Sequence, residues 1–171
     1  PPRSTLFPYT TLFRSVDNYY GTSTSPIVIS GTNRFTSNGL VSGTSGVLLV
    51  TNGALTLSGI TSSWNGYNGI SASSGAFQIT FSKITLQGNS QNGINLSTTG
   101  KTLLNSVSSF QNGLDGVRIS AINAKVSIAG STILGNWGYG ISVDVTTPAT
   151  DLYIAPSTVI FGNTGGNYFV Y

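Results

Sequence analysis

The residues able to do acid–base chemistry in this chain are few. Asp17, Asp115, Asp144 and Asp151 are its only carboxylate side chains, and it contains no histidine, cysteine or glutamate. Without histidine it lacks the usual general base near neutral pH, and without cysteine it lacks disulfides and thiolate metal sites. Asp115 and Arg118 flank Gly116-Val117, and Asp144 sits slightly further along the equivalent stretch of the next repeat, where it could approach Arg118 diagonally. An arginine among carboxylates can abstract a proton next to a carboxylate that calcium has neutralised. The competing reading is a surface salt bridge or solvated charges. Composition favours that second reading, because a calcium site draws on several oxygen ligands and only Asp115 and Asp144 could lie close together. No metal and no cofactor is expected.

Aromatic residues offer a different chemistry. Trp64 and Tyr67 fall beside one asparagine, and Trp137 and Tyr139 beside another. Exposed, these rings could stack on the C–H faces of sugars; the alternative is turn packing and capping of the core. Five of the seven Lys and Arg residues lie beyond residue 15, scattered and facing four aspartates, so nucleic acid is not an expected partner. No apolar run approaches the length needed to span a bilayer.

What would position these side chains is a repeat. Gly69, Gly93, Gly116 and Gly140 are separated by 24, 23 and 24 residues, and the same spacings hold for Asn65, Asn89, Asn112 and Asn136. Leu57, Phe81, Leu104 and Ile128 keep the same rhythm. Three residue types in one period indicate a solenoid, in which each coil lays like on like. Only 6% of the residues are charged, which suits stacked strands, where identical charges would repel.

Within each repeat, a short alternating strand (Leu55/Leu57, Ile79/Phe81, Val126/Ile128) precedes a second apolar patch at Ile60, Ile84, Val107 and, shifted by about two residues, Ile133. The asparagine turn follows. Glycine and a β-branched residue then open a further strand, as in Gly69-Ile70 and Gly93-Ile94. The third repeat puts Thr102 where its neighbours are apolar. An inward asparagine can donate and accept between coils and tolerates left-handed backbone angles. The column glycines imply either positive φ or close backbone approach.

Pro26-Ile27-Val28-Ile29 reads as a short strand, Phe35 and Asn38-Gly39 as a degraded coil, and Ser45-Gly46-Val47 as the start of a regular one. Residues 146–150 read as a protruding loop before a last coil through Asp151–Phe161. Tyr168 to Tyr171 are either a cap or the start of another coil. No segment has helical periodicity, so the expected fold is all-β, with about six coils of 23–24 residues.

The motif Asn-x-x-x-Gly-Ile/Val recurs as Asn65–Ile70, Asn89–Ile94, Asn112–Val117 and Asn136–Ile141. It resembles the right-handed parallel β-helix repeats of the pectate-lyase-like superfamily, over roughly Gly46 to Tyr171. Leucine-rich repeats fit less well, since leucine is not dominant and no helix separates the strands; a left-handed β-helix would need a hexapeptide period. The superfamily contains lyases, hydrolases, epimerases, adhesins and structural stalks, so the resemblance implies a fold rather than a reaction.

Residues 5–15 resemble the in-frame translation of a DNA-sequencing library adapter. The expected division is therefore 1–15 as a non-native segment and 16–171 as a truncated β-helix domain. The functional expectation is a non-catalytic secreted or cell-surface module, stalk-like or adhesin-like, contacting a polysaccharide or cell-surface glycan. The alternative is a fragment of a polysaccharide lyase or glycoside hydrolase whose active-site coils are missing. Ice binding by a flat hydroxyl face ranks below both, because the outward row Ser71, Asn95, Arg118 and Ser142 is irregular.

Overall fold

The computed structural model describes residues 14–18, 26–38, 43–121, 124–144 and 151–171. The chain opens with β1 (Arg14–Asn18), β2 (Ile27–Ile29) and β3 (Asn33–Thr36). Three regular coils follow: β4 (Val47–Thr51) with β5 (Leu55–Ser63), β6 (Ile70–Ser74) with β7 (Ile79–Gln87), and β8 (Ile94–Thr98) with β9 (Thr102–Phe110). The next coil holds β10 (Val117–Ala121), β11 (Lys125–Ala129) and β12 (Thr132–Leu134). The last strands are β13 (Tyr139–Asp144), β14 (Asp151–Ile154), β15 (Val159–Phe161) and β16 (Gly166–Val170).

Every strand pairing among the described residues is parallel. One sheet runs β1-β4-β6-β8-β10-β13-β16, and the second runs β14-β11-β9-β7-β5-β2 with β3, β12 and β15 attached. The result is an all-β solenoid of about six turns with about 24 residues per turn, as the repeat predicts. The long strands β5, β7 and β9 bend at Gly59, Lys83 and Ser106, which have positive φ. Each is in effect two short strands, so a coil has the three strands expected.

The core is a set of axial rows. Val47, Ile70, Ile94, Val117 and Ile141 are consecutive register partners, and all are essentially inaccessible to solvent. Burying one such side chain contributes about 1.5–3 kcal/mol. Thr102 occupies the row of Ile79 and Val126, and its buried hydroxyl has no hydrogen-bond partner among the described residues. The register corrects one alignment. Ile133 does not continue the row of Ile60, Ile84 and Val107; it pairs with Ser109, and the Ser131 hydroxyl accepts from the Val107 amide instead. The apparent shift of two residues is thus a change of row, and period two keeps Ile133 inside.

The column glycines answer to close approach, not to positive φ. A Cβ on Gly69 would lie 2.7 Å from the Gly93 carbonyl oxygen and 2.8 Å from both Asn89 Nδ2 and Leu86 Cδ2. At this corner the left-handed step falls on the residue just before each asparagine: Ser37, Trp64, Gly88, Gln111, Gly135 and Gly162. The asparagines themselves do not use left-handed angles.

At the C-terminal end, Tyr168 and Val170 continue the inward rows opposite Ile141 and Val143, while Phe169 faces outward beside Ser142. Leu152, Ile154, Ile160, Tyr168 and Val170 line an open groove of about 440 Å³ there. Residues 146–150 lie outside the described residues. Of the 1–15 segment only Arg14 and Ser15 are described, as the start of β1 against Val47 and Leu48.

Candidate functional site

The corner between the two sheets carries most of the residues singled out from the sequence. Its interior is a hydrogen-bonded column. Asn65 Nδ2 donates to Asn89 Oδ1 at 2.8 Å, and Asn89 donates to Asn112, Asn112 to Asn136 and Asn136 to Asn163, each at 2.9 Å. The same Oδ1 atoms accept the backbone N–H of the preceding coil's asparagine. The second amide hydrogen finds the Ser62 hydroxyl from Asn65 and the Ser109 hydroxyl from Asn112, both at 3.1 Å. Where Leu86 and Ile133 take the serine's place, Asn89 and Asn136 donate to the Ser62 and Ser109 carbonyls instead. The side-chain amides from Asn65 to Asn163 are therefore satisfied, which is the condition for such a column to stabilise the fold. Asn38, whose backbone N–H donates to Asn65 Oδ1 at 3.0 Å, heads the column with its own Nδ2 unpartnered among the described residues.

A second column runs three residues further on, and the sequence reading missed it. Asn92 donates from both its backbone N–H and Nδ2 to Asn68 Oδ1, each at 3.1 Å. The Asp115 N–H donates to Asn92 Oδ1 at 3.0 Å, and the Tyr139 N–H to Asp115 Oδ1 at 2.8 Å. This column has the opposite polarity: its side-chain oxygens point toward the C-terminal coil. The signal was available, because Asn68, Asn92 and Asp115 keep the 24 and 23 spacing of the first column. Treating Asp115 as a charge for catalysis concealed its place in that series.

The three acid–base candidates do not converge. Asp115 is buried, 8% exposed, and its Oδ1 is occupied by the Tyr139 amide. Arg118 faces outward between Asn95 and Ser142, as expected from the spacing, and donates to the Tyr171 hydroxyl at 3.3 Å. Asp144 pairs in register with Ser120 on the same outer face, and no ion pair joins it to Arg118. Among the described residues the one ion pair is Lys125–Asp151, solvent-exposed at 3.5 Å; exposed pairs of this kind add little stability. No group of three or more His, Cys, Asp or Glu that could hold a metal exists among the described residues.

The four aromatic candidates sit at two turns. Trp64 and Tyr67 share one, Trp137 and Tyr139 another three coils on, about 14 Å away at the usual strand spacing. Trp137 is the most exposed large apolar residue described, at 74%. Trp64 is 52% exposed and Tyr67 also lies at the surface. Tyr139 is different. Its ring stacks on Phe169 with centroids 4.9 Å apart, and Phe169 packs in turn on Tyr171 at 5.2 Å. The face that Tyr139 would offer a sugar is therefore partly spent on its own chain. That cluster, which reaches Arg118 through Tyr171, depends on the last strand and has no counterpart in the repeat.

Among the described residues no helix is long and apolar enough to cross a membrane. No curated protein and no solved structure matches the chain. The family described as "Right handed beta helix region" matches residues 21–167, nearly the whole solenoid. With its parallel coils, its interior asparagine column and that match, the chain belongs to the right-handed β-helix family.

Proposed function

We propose that this domain is a non-catalytic β-helix module of a secreted or cell-surface protein, a rigid stalk or adhesin-like element that touches glycans through its corner aromatics. The position of Asp115 carries the reading. The carboxylate best placed in sequence to assist Arg118 is turned inward and serves as a hydrogen-bond acceptor between coils. Arg118 is left with a tyrosine hydroxyl in place of an acid–base partner. General acid–base catalysis needs groups within hydrogen-bond reach of one substrate position, and these residues do not supply them. Trp137, exposed at the same corner, supports glycan contact.

A glycan array probed with the wild type and with Trp137→Ala tests this. Retention of one or more glycans at millimolar affinity, weakened several-fold by the substitution, is the expected result. An ultraviolet assay on acidic polysaccharides with calcium is expected to be silent. Unsaturated product that disappears in Arg118→Ala would replace this reading with a lyase.

A further inference from the structure

We infer that Trp64 forms a preorganised stacking platform for a neutral pyranose unit of a glycan chain. This rests on the glycan-contact reading above and extends it to a second ring, Trp64, and to one ligand class. Trp64 adopts φ of 57°, a left-handed backbone angle unfavourable for a bulky side chain. The fold does not ask for tryptophan there, since Gly88, Gly135 and Gly162 take the same left-handed step in later coils. Burial does not ask for it either, because half of the side chain is exposed. A costly conformation that holds an aromatic ring in solvent points to use at the surface.

The ring is also fixed in place. The benzo portion of its indole rests on Gly88 of the next coil; a Cβ there would lie 2.5 Å from both Cε3 and Cζ3. With that edge of the ring held against Gly88 and about half of the residue exposed, a stacking surface that is already ordered lowers the entropic cost of binding. Tyr67 stands in the same turn. Beside it, Gln87 Nε2 donates to Gln111 Oε1 at 3.2 Å, and the amide atoms not used in that bond can both accept from and donate to sugar hydroxyls.

Charge selects the ligand class. The equivalent stretches 60–70, 84–94 and 107–117, which build this corner over three coils, contain no Lys or Arg, and their one charged residue is the buried Asp115. An acidic sugar would find no cation there, whereas a neutral one has an apolar ring face for the indole and hydroxyls for the amides.

The test uses the chain with Trp137→Phe, so that Trp64 is its one tryptophan. Tryptophan emission is followed while cellohexaose, laminarihexaose, mannohexaose or hexagalacturonate is added. At least one neutral hexasaccharide is expected to give a saturable shift at millimolar concentration, and hexagalacturonate none. In gels containing the corresponding neutral polysaccharide, Trp64→Ala is expected to weaken retardation about tenfold and Trp64→Tyr to restore most of it, with circular dichroism and Tm confirming that each variant is folded. No saturable change with any neutral sugar, equal binding of hexagalacturonate, or full retardation of Trp64→Ala would overturn the inference. Retardation that survives Trp64→Ala but is lost in Trp137→Ala would overturn it while leaving glycan contact in place. Loss of all retardation in the wild type would remove both.

Discussion

The two side-chain columns inside one corner of this solenoid perform the same task with opposite polarity. In the first, from Asn65 to Asn163, the oxygens accept from the coil before and the amide hydrogens donate to the coil after. In the second, from Asn68 to Asp115, the oxygens accept from the coil after. The first runs unbroken through five asparagines. The second loses its amide donor at Asp115 and ends at the Tyr139 backbone, while at the N-terminal end of each column one amide nitrogen, Asn38 Nδ2 in the first and Asn68 Nδ2 in the second, finds no partner among the described residues. The difference shows what repetition contributes. An identical residue in each coil satisfies both its neighbours, whereas a single departure leaves an acceptor facing an acceptor. The stability of the corner should therefore rest mainly on the first column.

The sharpest way to break the comparison is Asn112→Ala, in the middle of the first column. It removes the acceptor of the Asn89 amide and backbone N–H, and the donor to Asn136 Oδ1, all buried. A loss of about 3–4 kcal/mol is expected in urea unfolding, since each stranded buried group costs about 1–3 kcal/mol. Asn92→Ala, the matching change in the second column, strands fewer groups and is expected to cost about 1–2 kcal/mol. Equal losses would show that the columns are equivalent. The smallest expected effect has the opposite sign. Asp115→Asn supplies the missing donor to Asn92 Oδ1, as Asn92 does to Asn68, and is expected to stabilise by about 1 kcal/mol, raising Tm by about 2–4 °C. A fall in Tm would mean that the carboxylate does something an amide cannot.

Much of this architecture was readable from residues that recur. Gly69, Asn65 and Leu57 each head a column, and a shared period of 23–24 identifies stacked coils without any long-range information. The outward position of Arg118 followed from the same count. What was not readable depends on contacts that do not repeat. Period alone could not tell that the column glycines are required by the neighbouring coil's carbonyl rather than by φ, nor that Ile133 belongs to the serine row. The candidate site suffered from reading residues by type before position. Asp115 drew attention as a charge although its spacing placed it among asparagines, and Tyr139 as a free ring although Phe169, thirty residues later, covers it.

The most direct test of coils stacked in register is one distance. Val50, Ser73, Ser97, Ser120 and Asp144 are successive register partners, so Val50 and Asp144 stand four strand steps apart. The chain has no native cysteine, so spin labels can be attached at Val50→Cys and Asp144→Cys alone. Pulsed electron paramagnetic resonance should give a narrow distribution centred at about 20 Å, four steps of about 4.8 Å each. A broad distribution, or one centred beyond about 30 Å, would contradict the stacking on which both columns and the Trp64 platform depend.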